Sequence, residues 1–437
     1  MSESSSSYLL ERAWVDGAVR DDVLLEVADG RITRVTQAPL GSRNPHDTPS
    51  PHGVSCGFHR PTGETRKLAG LTVPGLVNDH SHAFHRALRG RTQRGRGTFW
   101  TWREQMYAVA ERLTPDSYFA LARATFREMV AAGYTSVSEF HYLHDPEPET
   151  GDALRAAARE AGIRLTLLDT CYVSSGFGAP PEGVQRRYSD GSAERWAARV
   201  GDGPAAIHSV RAVPRDQLHV FRGRSPLHVH LSEQQAENDA CLAAYGVTPT
   251  RLLHEEGLLG PGTTVVHATH LTDDDIALLG STRTNVCITP TTERDLADGI
   301  GPARRLAEAG CRLTIGSDSH AVIDPFEELR GLEMDERLAT QERGHWSAAG
   351  LLGIGTAGAR IAVGEPADLV TIDTRSPRTA GTGADENTAV FAATAADVTH
   401  VVAGGRVVAT ADDRGDIGRE LDDAMEALWK EAPWPRP

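Results

Sequence analysis

Short apolar segments recur through the middle of this chain at intervals that each leave room for one helix, and this recurrence limits the fold more than any other feature. Eight strand candidates can be counted, near 73–79, 135–141, 164–169, 205–208, 227–231, 264–268, 284–288 and 313–317. Helical stretches fall between them, notably Pro115 to Ala132, Asp152 to Ala161, Glu233 to Ala244, Asp273 to Leu279, Pro302 to Ala309 and Pro325 to Leu338. Several open on Asp, Thr or Pro and close at Gly133, Gly162, Gly280 or Gly310, the residues that helix ends favour. Strand–helix alternation of this kind builds a parallel sheet, and eight units fit a (β/α)8 TIM barrel over 73–359. The fourth unit, 205 to 226, is the shortest.

Both termini have a different texture. The first stretch alternates as strands do, in Trp14-Val15, Val23 to Val27 and Arg31 to Val35, with Asp29-Gly30 as a hairpin turn. Residues 38–66 are rich in Pro, Gly, Ser, His and Arg and lack periodicity, so they read as a long insertion. The β texture returns in Ala367 to Asp373 and Val401 to Val408, with Gly404-Gly405 as a turn. A small β-sandwich assembled from 1–72 and 360–437 is therefore expected beside the barrel.

The barrel strands carry the chemistry. Leu71 to Val77, apolar, β-branched and broken by Pro74-Gly75, reads as a strand delivering His80 and His82 at its carboxyl end. Residues i and i+2 of a strand point to one side, so both imidazoles can reach one ion. A lone His-x-His says little, but three more apolar strands end in His230 (LHVHL), His267 (TVVHA) and Asp318 (LTIGSD), where barrel enzymes keep their chemistry. Zinc takes imidazole and carboxylate ligands and leaves one position for water in a catalytic site, and His80, His82, His230 and Asp318 supply such a shell. Singly, His230 also fits a buried core histidine, as His228 on the opposite face does, and Asp318 also fits a turn cap. Four such residues at four strand ends are what constrains the reading. Glu233, three residues after His230, fits a carboxylate held over the water as a proton shuttle, or an acid favoured by a helix N-terminus. His267 should face the metal, whereas His270 lies past the strand. The chain has only two lysines, Lys67 and Lys430, neither at a barrel strand end. A lysine-bridged pair of ions has no bridge here, so one divalent ion per chain, Zn2+, is expected.

Composition narrows the partners. A formal charge of −15 argues against nucleic acid or an acidic membrane surface. No run of about 18 apolar residues exists and the Ser-rich start lacks a signal-peptide core. Five cysteines (56, 171, 241, 287, 311) show no paired spacing, which suits reduced thiols in a cytoplasmic protein.

The whole pattern resembles the amidohydrolase superfamily in its mononuclear deaminase form: a His-x-His, a His-x-x-Glu, a later His and an Asp, with Val363 to Val370 typical of its returning sandwich. Seven blocks are similar to the branch that deiminates formimidoylglutamate: Asn78–Arg86 (NDHSHAFHR), Thr98–Tyr107 (TFWTWREQMY), Ala132–Tyr142 (AGYTSVSEFHY), Ile207–Val213 (IHSVRAV), His230–Gln234 (HLSEQ), Val266–His270 (VHATH) and Ile315–His320 (IGSDSH). Nearly the whole chain apart from 38–66 takes part. The resemblance implies His80, His82, His230 and Asp318 as zinc ligands, with Glu233, His267 and Asp318 moving protons and orienting water. It implies His85, Arg103, Tyr142, His208 and Arg211 as contacts to a dicarboxylate amidine substrate. Tyr142 would reach into a neighbouring subunit's site, hence a homodimer. Arg103 also fits a surface helix arginine and Tyr142 a core residue, and Trp100 and Trp102 read as packing residues. Two positions depart from the branch: His85 stands where glutamine is frequent, and Arg294 where a small or neutral residue is. The implied reaction is hydrolysis of N-formimidoyl-L-glutamate to N-formyl-L-glutamate and ammonia, in histidine degradation. Two rivals stand beside it. A deaminase of guanine, cytosine or an S-adenosyl compound would favour an aromatic stacking pocket over paired arginines. A non-catalytic scaffold of the same fold is opposed by the intact ligand set.

Overall fold

The computed structural model describes residues 5–37, 65–94, 96–144 and 149–430. The insertion expected at 38–66 thus lies outside the described residues, except that Thr65 and Arg66 already belong to a strand. The termini build one seven-stranded sheet from β1 (Ser5–Val15), β2 (Ala18–Ala28), β3 (Arg31–Gln37) and β4 (Thr65–Pro74), then β13 (Leu369–Ile372), β14 (Val398–Ala403) and β15 (Arg406–Thr410), in the order β15-β14-β13-β4-β1-β2-β3. Both outer turns fold back onto the sheet's middle: the Tyr8 hydroxyl of β1 donates to Gly405 O at 2.8 Å, and Ala367 N, just before β13, donates to Gly30 O at 2.8 Å. The sheet so wraps a core of its own, with Leu10, Leu25, Ile32, Leu68, Leu369 and Val402 buried together.

Between the two halves run β5 (Leu76–Ser81), β6 (Tyr134–His141), β7 (Arg164–Cys171), β8 (Ala205–Ile207), β9 (Leu227–Leu231), β10 (Thr263–His267), β11 (Asn285–Ile288) and β12 (Leu313–Ile315). Each pairs in parallel with the next. The ring closes beyond the end of β12, where Ser81 bridges Asp318, Asp318 N donates to His80 O at 3.0 Å and His82 N donates to Asp318 O at 3.3 Å. Every residue of β9 and β10 is buried, the continuous burial of a parallel sheet covered on both faces. Helices Pro115–Ala132 and Thr150–Ala161 stop at Gly133 and Gly162 in the left-handed conformation. The helix from Asp273 continues past the expected stop at Gly280 to Ser281.

Two differences from the sequence reading have clear causes. The apolar run 71–77 is two strands in two sheets: Leu71–Pro74 pairs with β13, and the first barrel strand begins at Leu76. Gly75 makes the passage. Its N–H donates to Asp368 O at 2.9 Å, and a Cβ there would lie 2.3 Å from Thr135 Oγ1 and 2.9 Å from Asp368 Cβ. Gly75→Ala is expected to cost about 1–3 kcal/mol through overpacking, read as a lowered Tm; an unchanged Tm would show that the two sheets can part there. The second difference is the helix Arg414–Trp429, which leaves the terminal sheet assigned to 360–437. It packs on barrel helix Pro115–Ala132, burying Ile417 and Leu421 against Ala124. Among the described residues no helix is long and apolar enough to cross a membrane, and Cys171, Cys241, Cys287 and Cys311 are buried and unpaired, while Cys56 lies outside them.

Candidate active site

The carboxyl ends of the barrel strands bring His80, His82, His230 and Asp318 together in a buried cluster whose ligand atoms all lie within 4.8 Å of one another. Asp318 Oδ1 stands 3.2 Å from His80 Nε2 and 3.3 Å from His82 Nε2, and the Nε2 atoms of His80 and His230 are 3.0 Å apart. Two of the three far ring nitrogens are tied back: His82 Nδ1 donates to Phe140 O at 3.0 Å and His230 Nδ1 to His208 O at 2.8 Å. Those bonds leave Nε2 of both rings as lone-pair donors facing inward, as metal-ligating histidines are held. Ligands about 2.0–2.1 Å from a tetrahedral zinc sit about 3.3 Å from one another, so the donor set and its spacing suit one such ion. Burial holds His80 neutral, its pKa pushed down to about 3 against the pull of Asp318. Burial raises the Asp318 carboxyl, but the close approach of His80 and His82, with His267 adding to it, outweighs this and leaves it well below the usual range.

The backbone is bent to make this geometry. His267 (φ 69°) and Asp318 (φ 39°) both occupy the left-handed region, where a non-glycine residue persists only if its surroundings impose it. Asn78 does so for the Asp318 loop, donating from Nδ2 to Ser317 Oγ at 2.7 Å and accepting from Ser317 N at 3.0 Å. Glu139 braces the turn after β5, accepting from Ser81 Oγ and Ala83 N, both at 2.6 Å. Burial pushes this carboxyl up to about 8.

Glu233 and His267 face each other beside the cluster, Oε1 to Nε2 at 3.7 Å, with His267 Nε2 3.8 Å from Asp318 Oδ2. Burial raises the Glu233 carboxyl to about 7 against the pull of His267. Burial would lower His267, but Glu233, Glu293 and Asp318 outweigh it and lift it to about 10. Its orientation comes from residues that sequence reasoning missed. His267 Nδ1 lies 3.1 Å from Thr289 Oγ1 and 3.6 Å from Glu293 Oε1, and Thr289 Oγ1 donates to Glu293 at 3.3 Å. Pro290 followed by an acid reads locally as a helix start, which hides the role of Glu293.

Over this cluster lies a pocket with walls from Phe99, Trp102, Arg103, Tyr107, Tyr142, Tyr172, Tyr188 and Leu296, beside His85 and His208. His85 Nε2 meets the Tyr142 hydroxyl at 3.2 Å. Trp102 belongs to the wall, its ring edge-on to His85 at 5.1 Å, and is more than a packing residue; Trp100 is 42% exposed under the Arg103 guanidinium. Tyr142 is 3% exposed inside its own chain's pocket, 5.4 Å from the His82 ring. A side chain so enclosed cannot reach a neighbouring subunit's site, and that expectation is corrected. Arg211 is not among the pocket-lining residues, though its charge acts on Glu233, Glu237 and His208. Arg294 pairs with Asp335 at 2.9 Å away from the pocket wall, so this departure from the branch leaves the site untouched.

An eight-stranded parallel barrel with a three-histidine, one-aspartate cluster at its strand ends defines a barrel hydrolase built to hold a metal. The amidohydrolase family model matches residues 71–408, and the chain belongs to that family. It is 35% identical over 388 residues to the formimidoylglutamate deiminase of Pseudomonas aeruginosa, covering 78% of this chain and 85% of that one. It is 29% identical over 378 residues to a 5-methylthioadenosine/S-adenosylhomocysteine deaminase of Syntrophobacter fumaroxidans, covering 82% and 84%. Among solved structures, an amidohydrolase from Brucella melitensis superposes with a TM-score of 0.81 at 29% identity, over 97% of this chain and 99% of that one. An adenosine deaminase from Xanthomonas campestris with bound zinc shares the fold, with a TM-score of 0.78 at 21% identity over 97% and 98%.

Proposed function

We propose that this chain hydrolyses N-formimidoyl-L-glutamate to N-formyl-L-glutamate and ammonia. One observation carries the reading. Arg103 and Arg211 have no carboxylate within ion-pair distance among the described residues, and the charges of both bear on Tyr172 and His208 beside the cluster. Arg103 Nε is buried without a partner. Two guanidinium groups that make no ion pair of their own suit a ligand with two carboxylates. The formimidoylglutamate deiminase relative points the same way.

His80, His82, His230 and Asp318 would hold one zinc ion, which when bound supplies Lewis acidity and a water whose pKa falls toward about 7. Glu233 Oε1, poised near neutrality, takes a proton as the nucleophile adds to the amidine carbon and returns one to the departing nitrogen. His267, kept charged by its three acidic neighbours, donates from Nε2 toward the reacting atoms. Arg103 holds a carboxylate at the pocket wall, with Arg211 assisting from behind it, so that remote binding energy becomes orientation. The four buried, unpaired cysteines suit a reducing, cytoplasmic setting. A homodimer belongs to this reading on the resemblance alone.

A specific feature favours a second reading. Six aromatic rings line the pocket, Phe99, Trp102, Tyr107, Tyr142, Tyr172 and Tyr188, and a flat heterocycle such as the base of 5′-methylthioadenosine would stack there. Ammonia release measured in parallel on N-formimidoyl-L-glutamate, 5′-methylthioadenosine, guanine and cytosine separates the two. Preference for a nucleobase substrate would overturn the dicarboxylate assignment and leave the family intact.

Arg103→Met is expected to raise KM for formimidoylglutamate about 10- to 100-fold, the worth of charge-assisted hydrogen bonds at about 1.5–3 kcal/mol. Metal content should not change. Arg211→Lys should have the smaller effect, because Arg211 stands behind the lining. An amidine without carboxylates should bind both variants as it binds the parent; a matching loss with that compound would show that Arg103 shapes the wall and does not read charge.

A further inference from the structure

One buried acid lies beside the site and has no part in the chemistry above. Asp298 stands in the loop that follows the short helix Pro290–Asp295 beyond β11, with its side chain buried. Its N–H donates to Glu293 O at 2.9 Å. The residues on either side are in the left-handed region, Ala297 at φ 59° and Gly299 at φ 116°, a conformation alanine adopts only at a cost. The loop is thereby bent to carry Asp298 inward. Asp298 Oδ1 accepts a hydrogen bond from Gln234 Nε2, on the residue immediately after Glu233. Asp298 Oδ2 is buried and has no partner.

The charged groups that act on Asp298 are Glu233, His267, Glu293 and Asp318. Those acting on Glu233 are His267, Asp318, Glu237 and Arg211. The charge of Glu233 bears on Asp298 in a buried place, where two carboxylates do not both ionise without large repulsion, and Asp298 Oδ2 is left there with no hydrogen bond. A proton on Asp298 Oδ2 removes that repulsion, and an uncharged oxygen costs less to leave buried than a carboxylate oxygen does.

We infer that Asp298 is a positioning residue for Glu233: held as the acid, it clamps the Glu233–Gln234 turn from behind through Gln234 and keeps the Glu233 carboxylate directed at the pocket. The inference rests on Glu233 being the proton carrier proposed above. Burial, with the charge of Glu233 adding to it, pushes the Asp298 carboxyl up to about 9, in keeping with an acid that stays protonated at neutral pH.

The test compares Asp298→Ala, Asp298→Asn and Glu233→Gln as full-length, metal-loaded enzymes, with ammonia release from N-formimidoyl-L-glutamate followed against pH. Asparagine keeps an acceptor and a donor where the protonated acid has them, so Asp298→Asn should stay within about threefold of the parent kcat. Asp298→Ala should lose kcat by about 10- to 100-fold, the range for residues that orient functional groups from behind, with KM and metal content unchanged and the acid limb of kcat/KM displaced. A readout that needs no substrate accompanies these: the infrared difference between parent and Asp298→Asn at pH 7 should show loss of one protonated carboxylic acid. The inference is overturned if Asp298→Ala keeps its kcat, if it loses Tm in step with activity while the acid limb stays put, or if the infrared difference shows a carboxylate. If Glu233→Gln is itself fully active, the proton-carrier reading fails first; if Glu233→Gln is inactive and Asp298→Ala is not, only the present inference fails.

Discussion

His82→Ala is expected to abolish both metal retention and turnover, the largest single effect the site allows. His82 Nε2 is one of three ring nitrogens converging on Asp318, 3.3 Å from its Oδ1, and its Nδ1 bond to Phe140 O fixes that direction. An alanine leaves three donors in a cluster built for four and leaves the Phe140 carbonyl without its partner. Loss of the ion removes several kcal/mol of stabilisation from the reaction, a fall of about 10³-fold or more in kcat/KM. Elemental analysis of the purified parent should find about one divalent ion per chain, and of His82→Ala far less. Two ions per active parent chain would refute the mononuclear reading: among the described residues there is only one candidate cluster, and neither lysine supplies a bridge. Stoichiometric metal in an active His82→Ala would remove His82 from the ligand set.

The strand ends were the readable part of this sequence, and the reason is physical. A parallel barrel strand is buried on both faces, so its apolar run is continuous and short, and a histidine or aspartate at its end stands out. β9 and β10, LHVHL and TTVVH, fall within a residue of where periodicity places them. What stayed hidden depends on contacts between distant segments. Leu71 to Val77 looks like one strand because both of its sheets ask for the same residue types; only the close approach of Thr135 to Gly75 reveals the break. Glu293 and Asp298 look like ordinary helix-start and loop acids, because their partners, His267 and Gln234, are 26 and 64 positions away in sequence. The pocket's aromatic wall is spread over four segments, and no local pattern announces Phe99, Tyr142, Tyr172 and Tyr188 as neighbours. Tyr142 shows the opposite error. A role attached to it through resemblance gave way to its burial within its own chain.

Glu233→Gln should hold its metal and its fold yet lose about 10²- to 10⁴-fold in kcat, the span for a positioned acid–base group. Glutamine fills the same volume, contributes no ligand to the cluster and cannot carry a proton. The pH profile gives the sharper check. A carboxyl raised to about 7 by burial must be ionised before it can accept a proton, so kcat/KM of the parent should fall as pH drops through that value. The same limb should be missing from whatever activity Glu233→Gln retains. The sign for stability runs the same way: a carboxyl raised in the folded state favours its neutral form, so its contribution to stability is fully present below the unfolded value and is lost as pH rises through about 7. Glu233→Gln should therefore be at least as stable as the parent at pH 8, and less active at every pH. Near-parental turnover in the variant would reassign Glu233 to the helix N-terminus it precedes, and His267, with its three acidic neighbours, would become the residue to test as the proton carrier.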